Sequence, residues 1–401
     1  MSVSNFRKRL YYDDSYLTRF EANVVEQYRK GDRFAVILDR TAFYPTSGGQ
    51  MHDLGFLNER PVLEVLEDGG EVLHLVELPF DDERLSGKID WQRRFSFMQQ
   101  HTAFHILAQA FLRALRLDTL SSHLGESAST IDIAADDITW EQIEQVEKLV
   151  HQVVFENRPV ETFWVEKGKL QSLSLRKMPP DIQKPIRLVS IKDFDLDPCG
   201  GTHVRNTGEV GIVKILSWEK VRGNIRCTFQ AGWRGLKDYQ QRVVTTQAIA
   251  QAISVTDDEM VKQVIALKAS LKQREKQLQK KNEKLLQLEA QQFIENLRRR
   301  PEKTWTAAAE QKTPAEIKFL AKTVGREAPA GVIIYSNEEP MFLVVVWNGD
   351  NEKDLRLLIP KLQKLMDVKG GGSPNFVELH GLNRNNSQQA IGEIKIFLEQ
   401  S

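Results

Sequence analysis

The chain has 401 residues, enough for two or three domains with full hydrophobic cores, and its 41% hydrophobic and 27% charged residues are ordinary for a globular protein. Lys plus Arg and Asp plus Glu both number 55, so no overall basic charge indicates nucleic acid, and any such surface must be local. Two cysteines are too few for a disulfide scaffold, and no segment approaches the ~20 apolar residues of a membrane span, so we expect a cytoplasmic protein without a membrane partner.

The N-terminal ninety residues are predicted to form a small β-barrel. From residue 16 the short strand-like segments RFAVILDR, PVLEVLE and EVLHLVEL are separated by Gly, Asp, Asn and Glu. Residues 91–115 then show the apolar periodicity of a helix, and a second helix is expected over 139–155. Strand-like segments between and after these helices indicate an α+β, or α/β, domain over residues 91–232.

Residues 233–300 contain no proline and are predicted to be a long helical spacer. Val264, Leu267, Leu271, Leu278, Leu285 and Leu288 follow a heptad pattern that Arg274 and Lys281 interrupt. From residue 262 to 300 there are eleven basic residues against four glutamates. A solvated spacer, a phosphate-binding face and the seam of a homodimer are the alternatives for this segment.

A third, α/β domain is predicted over residues 301–401, after Pro301 ends the helix. GVIIYS and MFLVVVW indicate paired strands, and helices are expected over 354–366, kinked or restarted at Pro360, and over 387–399. Between those helices, KGGGSPNFVELHG is interpreted as a glycine-rich loop leading into a strand. The overall class is therefore α+β, with a small β-barrel, a central α/β domain over residues 91–232, a helical spacer and a glycine-rich α/β domain in that order.

The most specific local pattern is a pair of four-residue spacings, HTAFH from His101 to His105 and CGGTH from Cys199 to His203. Such a spacing on a helix places both histidines on one face, about one turn apart, where both could bind one ion. Pro198 and the glycine pair disfavour a regular helix around Cys199 and let the backbone bend around an ion. One thiolate and three imidazoles suit Zn²⁺, so the sequence predicts one zinc on these four residues.

The role of that zinc is open from spacing alone. Each half of the pattern is weak by itself, since paired histidines on a helix are more often solvated or structural than metal-bound. Four protein ligands are typical of a closed structural site, while catalytic zinc keeps a position for water. Thr102 takes the place of the glutamate in HExxH, which argues against a zinc protease.

HxxxH followed about a hundred residues later by CGGTHV resembles the editing domain of alanyl-tRNA synthetase and its free-standing relatives, the AlaX proteins. TAFYPTSGGQMHDLG, residues 41–55, is similar to the family's FYP…GGGQ…D.G barrel segment, with Ser47 in place of the first glycine. FSFMQQHTAFHIL and CGGTHVRNTGEVGIVKI extend the metal motifs, although Phe104 stands where the synthetases often have a small hydroxylated residue. KGGGSPNF resembles their C-terminal domain, so the resemblance covers nearly the whole chain and indicates the long AlaX type.

The resemblance implies a trans-editing deacylase that hydrolyses mischarged seryl-tRNA(Ala), with glycyl-tRNA(Ala) as a second substrate candidate and one zinc per chain. Zinc could activate water or polarise the ester carbonyl, and no residue is assigned as general base. No Walker-type loop is present and no class II synthetase catalytic domain precedes the barrel, so ATP is not an expected partner. The C-terminal domain is expected to bind tRNA or to dimerise.

The predicted substrate contacts lie in two segments. Gly48 and Gly49 would permit close backbone approach, and Gln50 offers both a donor and an acceptor, although a β-turn ended by a capping glutamine is the structural alternative. Ser122 and His123, in SSHLGES, fall where the family lines its amino-acid pocket, and a surface turn is the alternative for them. Six basic residues are candidates for phosphate contacts: Arg93, Arg94, Lys214, Lys220, Arg222 and Arg226.

Two other classes of protein compete with the enzyme. A non-catalytic tRNA-binding protein with a structural zinc would retain tRNA without turnover and would lose its middle domain on chelation. A coiled-coil assembly factor would use residues 261–300 as a dimer seam, with the metal domain incidental.

Overall fold

The computed structural model describes residues 9–170, 172–178, 185–336, 340–349, 353–365, 368–382 and 384–399. They form two compact units, which divide between Ala252 and Ile253. The predicted α+β class is confirmed, because four sheets and the helices packed on them account for most of these residues.

The first sheet contains seven strands and is close to a barrel. In chain order they are β1 (Arg19–Lys30), β2 (Arg33–Leu38), β3 (Gly55–Leu57), β4 (Arg60–Val62), β5 (Glu64–Asp68), β6 (Glu71–Val76) and β7 (Arg84–Ile89). All pairs are antiparallel in the order β4-β3-β7-β1-β2-β6-β5. The two edge strands, β4 and β5, are separated by Leu63 alone, so the chain itself joins the two edges of the sheet.

A histidine lies inside this barrel. His74 on β6 is fully buried, and its ring nitrogens pair with the Thr41 hydroxyl at 2.8 Å and the Val36 carbonyl at 2.9 Å. Burial disfavours the charged imidazolium and lowers the pKa of His74 to about 4.

This burial predicts an acid-sensitive barrel. Between about pH 4 and the ordinary value of 6.5, the unfolded chain binds a proton at His74 that the folded chain does not, so the free energy of unfolding falls as pH falls through this window. The full loss is roughly 3 kcal/mol. Chemical denaturation at pH 7, 5.5 and 4 should show that the free energy of unfolding falls less between pH 7 and pH 4 for His74→Asn than for the wild type. Parallel pH profiles for the two proteins would contradict the prediction.

The rest of the first unit surrounds helix α1 (Trp91–Leu115), which begins at the Asp90 cap. Its strands are β8 (Thr119–Leu124), β9 (Ser129–Ile133), β10 (Val160–Val165), β11 (Ile186–Ile191), β12 (Asp195–Pro198), β13 (Val213–Val221) and β14 (Asn224–Ala231). They form a four-stranded sheet in the order β13-β14-β9-β8 and a three-stranded sheet in the order β10-β11-β12. The other helices are α2 (Trp140–Phe155), which a Thr139–Gln142 capping box opens, the short α3 (Lys167–Leu170) and α4 (Gly232–Ile253).

One buried ion pair joins α1 to the barrel. The guanidinium of Arg94 has no exposed surface, and its Nε donates to Asp53 Oδ1 at 2.9 Å. Its terminal nitrogens donate to the carbonyls of Ser15 and Ala42 and to Asp53. The expected role of Arg94 in phosphate binding is therefore wrong, because the side chain is fully buried and all three of its nitrogens donate to partners inside the protein.

The second unit is a five-stranded sheet with helices on both faces. The strands are β15 (Thr304–Ala309), β16 (Gly331–Ser336), β17 (Met341–Trp347), β18 (Lys369–Ser373) and β19 (Phe376–Leu382), in the order β15-β16-β17-β19-β18. The helices are α5 (Met260–Arg298), α6 (Pro314–Gly325), α7 (Leu358–Leu365) and α8 (Arg384–Glu399). One apolar core lies between the sheet and α5 with α6, and a second core includes residues of α7 and α8.

The predicted glycine-rich loop is wrong, because KGGGS is the edge strand β18 and turns back into β19 at Pro374–Asn375. A Cβ on Gly372 would lie 2.0 Å from the Phe376 carbonyl oxygen, so the glycine permits the close approach of the two strands. The helical spacer is interrupted at Ser254, which has a φ of 56°, and Thr256 begins a new turn before α5. The predicted helix over 354–366 becomes a short 3₁₀ turn followed by α7, with Pro360 in the first turn of α7; residue 366 lies outside the described residues.

Helix α5 buries a different stripe from the predicted heptad seam. Leu286, Ala290 and Leu297 are buried against α6 and the sheet, whereas Leu271 and Leu278 remain 60% and 70% exposed. Within the described residues, no helix combines the length and the apolar character needed to cross a bilayer.

Candidate metal centre

Four side chains from two parts of the first unit converge on one point. His101 and His105 lie one turn apart on α1, and Cys199 directly follows β12, with His203 four residues later. Their candidate ligand atoms all lie within 4.8 Å of one another. The Cys199 sulfur is 3.3 Å from Nε2 of both His101 and His203. The four predicted residues are therefore together, and they form a set of donors that could hold a metal ion.

The outward-facing nitrogen of each histidine has its own partner. Nδ1 of His101 donates to Gln50 Oε1 at 2.8 Å, Nδ1 of His105 donates to Asp195 Oδ2 at 3.0 Å, and Nδ1 of His203 pairs with the Thr102 hydroxyl at 3.2 Å. These bonds leave Nε2 of each ring for the centre. Pairing of the remote nitrogen in this way orients imidazoles for metal binding and raises their basicity.

Behind His105 lies a buried network that the sequence analysis missed. Arg176 donates to Asp195 Oδ1 at 2.9 Å and to Asp197 Oδ2 at 2.6 Å, so the carboxylate that orients His105 is itself held in place. The sequence does contain a signal for this network. Asp195 and Asp197 are two residues apart on β12, just before Cys199, so their side chains lie on the same face of the strand.

The turn that carries Cys199 fits closely against α1. A Cβ on Gly201 would lie 2.1 Å from Cε1 of the His101 ring, a distance that real Cβ atoms essentially never show, and 3.1 Å from Oε1 of Gln50, which is tighter than most Cβ contacts. The Gly201 N–H also points at the Cys199 sulfur, 3.4 Å away. The second glycine of the CGG sequence is therefore needed for contact between the two halves of the cluster.

The electrostatics of the cluster favour a thiolate. Burial opposes ionisation of Cys199, but the neighbouring imidazoles of His101 and His203 outweigh it and hold the pKa of the thiol well below its usual range. Burial lowers the pKa of His203 to about 3. Burial also opposes the charged form of His105, but hydrogen bonds to Asp195 and Cys199 outweigh it and raise the pKa of that ring to about 9. A divalent metal binds a thiolate and neutral imidazoles, so metal binding would displace the proton of His105.

The predicted substrate residues lie in different environments, and among them Gln50 contacts the cluster. Gly48 and Gly49 are exposed and have φ values of 57° and 82°. A Cβ on Gly49 would lie 3.1 Å from the Ser122 carbonyl oxygen, so the glycine turn and β8 are in close contact. Ser122 is half-buried and His123 is exposed. Gln50 is fully buried, and its amide donates to the Thr202 hydroxyl at 2.9 Å while its oxygen accepts from His101.

The environment of Gln50 predicts a role in metal binding. Replacing Gln50 with leucine removes the acceptor of the His101 ring, and we expect metal affinity to fall by about 10–100-fold. The matched control is Gln100→Leu, since Gln100 is an equally buried amide that bonds to Ala231 and not to the cluster. Zinc competition with a chromophoric chelator measures both variants. Unchanged affinity in Gln50→Leu would favour the substrate contact instead.

Most of the basic residues predicted to meet phosphates are paired with carboxylates. Besides Arg94, Arg93 pairs with Glu126, Lys214 with Glu147, and Arg226 with Asp132. Arg222 and Lys220 lie at the exposed β13–β14 turn. These ion pairs could not be predicted from the sequence, because each carboxylate is distant along the chain from its basic partner.

The two family profiles that match this chain fall on the barrel and on the second metal motif. Residues 3–93 match the family described as tRNA synthetases class II (A), and residues 186–226 match the threonyl and alanyl tRNA synthetase second additional domain. The second of these matches covers the segment that carries Cys199 and His203, so this part of the chain is similar to the second additional domain of these synthetases.

Similarity to whole proteins is more specific. The chain is 30% identical to the alanyl-tRNA editing protein Aarsd1-A of Xenopus laevis, over 91% of this chain and 88% of that protein. It is 35% identical to the alanyl-tRNA editing protein AlaX-L of Pyrococcus horikoshii over 57% of this chain, and the match spans 59% of that relative. An alanine–tRNA ligase of Ignicoccus hospitalis is 27% identical over 92% of this chain and 40% of the ligase. The chain belongs to the family of alanyl-tRNA editing proteins.

Proposed function

We propose that this protein is a trans-editing deacylase that hydrolyses the ester bond of mischarged tRNA(Ala), with one zinc ion held by His101, His105, Cys199 and His203. The convergence of these four side chains, in a chain of the alanyl-tRNA editing family, carries the proposal. When bound, zinc supplies a Lewis acid that can activate water or polarise an ester carbonyl.

The residues of the chain would orient the ligands and shape the pocket. Gln50 and Asp195 hold the rings of His101 and His105, so the nitrogens that face the centre are fixed before the substrate arrives. Cys199 is half-buried and Gly200 is exposed, so the cluster can be reached from solvent. Gly49 packs against Ser122, and the next residue, Gln50, contacts His101, so this glycine turn is connected to the cluster.

Seryl-tRNA(Ala) is the proposed substrate, and glycyl-tRNA(Ala) is the second candidate. Serine differs from the correct alanine by one hydroxyl group. A pocket that hydrogen-bonds this hydroxyl disfavours alanine, because its own polar groups would then be left unpaired. The proposed contacts are the peptide groups of Gly48 and Gly49 and the side chains of Ser122 and His123. Gln50 is assigned to the metal centre, because it is fully buried and bonds to His101.

Incubation of the purified, zinc-loaded protein with seryl-, glycyl- and alanyl-tRNA(Ala) tests the proposal. We expect rapid release of serine and little release of alanine. Inertness toward all three, with zinc bound, would refute the deacylase. That result would favour the second candidate, a tRNA-binding protein with a structural zinc, which the complete set of four protein ligands supports.

The second unit is proposed to hold the body of the tRNA through α5. Lys272, Lys276, Lys280 and Lys284 are all exposed on this helix. Changing Lys276, Lys280 and Lys284 together to glutamine should weaken tRNA binding and flatten its salt dependence, because fewer counterions are released. Filter binding at several salt concentrations measures both effects. An unchanged salt dependence would remove α5 from the proposed interface.

A further inference from the structure

A buried arginine is attached to the turn that carries Cys199. Arg187, on β11, is 5% exposed. Its Nη1 donates to the Cys199 carbonyl at 3.0 Å and to the Gly201 carbonyl at 2.9 Å. Its own backbone carbonyl accepts from the Cys199 N–H at 3.1 Å. A single residue therefore makes three hydrogen bonds to the Cys199–Gly201 turn.

The charge of Arg187 is unusual for a buried side chain. Among the residues that the structure describes, no carboxylate lies within 4.0 Å of its guanidinium, although the other buried arginine of this unit, Arg94, is paired with Asp53. Within the described part of the chain its Nε has no hydrogen-bond partner, and its Cζ lies 5.2 Å from the Tyr12 ring centroid. Burying a charge without a carboxylate is costly, so the bonds to the turn must compensate.

The geometry of the turn shows what these bonds do. The Cys199 sulfur contacts the imidazoles of His101 and His203. Arg187 bonds to the carbonyls of Cys199 and Gly201, the residues that flank Gly200 in the same turn. Glycines at 200 and 201 give the turn little stiffness of its own. Bonds from a fixed strand therefore determine where the sulfur lies.

We propose that Arg187 is a positioning residue of the metal centre: it clamps the Cys199–Gly201 turn to β11 and holds the Cys199 sulfur at the ligand position. The proposal rests on the metal binding that the proposed function includes. It concerns a residue that does not touch the metal or the substrate and acts through Cys199.

The test compares Arg187→Met and Arg187→Lys in the full-length chain. Methionine keeps an unbranched side chain but no donor, and lysine keeps the charge and three donors. We expect zinc affinity, measured by chelator competition, to fall about 10–100-fold in Arg187→Met and less in Arg187→Lys. With Co²⁺ in place of zinc, the thiolate-to-cobalt absorption band should weaken or shift in Arg187→Met and recover in part in Arg187→Lys.

Arg158→Met is the matched control. Arg158 donates to the Lys192 carbonyl at 3.1 Å, so it also ties a backbone carbonyl of this unit, but it does not contact the Cys199 turn. Circular dichroism of the metal-free proteins verifies that each variant folds. If Arg187→Met does not fold, the inference is tested with Arg187→Lys alone, which should bind zinc more weakly than the wild type and show an altered cobalt absorption band.

Two results would overturn the inference and leave the proposed function standing. One is wild-type affinity and an unchanged cobalt band in folded Arg187→Met, and the other is an equal loss in Arg158→Met. Failure of the wild-type protein itself to bind zinc would refute both this inference and the metal in the proposed function, so the two failures are distinguishable.

Discussion

Cys199→Ala is expected to lose zinc and to reduce deacylation to the level of the uncatalysed reaction. Cys199 supplies the one anionic donor of the cluster, and its sulfur contacts two of the three imidazoles. Without it, three neutral rings would have to hold a dication in a buried site. The loss of affinity should exceed the roughly 10–100-fold that accompanies loss of an outer hydrogen bond. Chelator competition and release of serine from seryl-tRNA(Ala) measure the two effects.

The chain carries its own control for this experiment. Cys227, the other cysteine, is fully buried on β14, in the core beside the four-stranded sheet, and burial raises the pKa of its thiol to about 12. Cys227→Ala should therefore cost about 1 kcal/mol of stability, from a small cavity, and leave zinc binding intact. Full zinc affinity in Cys199→Ala would refute its assignment as a ligand.

Gly201→Ala is expected to be nearly as damaging, although it changes no ligand. The added methyl group would lie 2.1 Å from Cε1 and 2.3 Å from Nδ1 of His101, so either the ring or the turn must move by more than an ångström. Displacement on that scale can reduce a reaction by about 100-fold. Zinc affinity and deacylation should fall together, because the same shift breaks the His101–Gln50 bond.

Gly200→Ala is the control that shows whether the damage in Gly201→Ala comes from the clash with His101. The nearest atom to a Cβ at this position is the Tyr12 hydroxyl oxygen, at an ordinary contact distance of 3.6 Å. We expect it to change zinc affinity and deacylation by no more than about twofold. Equal damage from both alanines would indicate that the flexibility of the turn matters and not the space beside His101.

The four candidate ligands could be predicted from the sequence because their geometry is mainly local. A spacing of four on α1 places His101 and His105 on one face, and a glycine pair lets the chain bend between Cys199 and His203. The residues that orient the rings could not be predicted in the same way. Gln50 reaches His101 across 51 positions, and no periodicity in the sequence encodes that contact.

Errors in the predicted fold have a related origin. KGGGS contains no residue that favours a strand, yet pairing with β19 makes it one, because the glycines allow the strands to approach. The sequence predicts phosphate contacts for basic residues that are paired with carboxylates in the structure, because a sequence gives the charge of a side chain but not its partner in space. Arg94 is the clearest case, with Asp53 forty-one positions away.

The Arg94–Asp53 pair also bears on how such a protein can be divided. Arg94 lies two turns before His101 on α1, and its bonds end on Ser15, Ala42 and Asp53 in the N-terminal ninety residues. A fragment starting at Trp91 would leave Arg94 without its carboxylate and His101 without Gln50. The barrel and the metal centre are thus expected to be gained or lost together in evolution. Recombination could add or remove segments on either side of this pair. A break between β7 and α1 would separate Asp53 from Arg94 and Gln50 from His101.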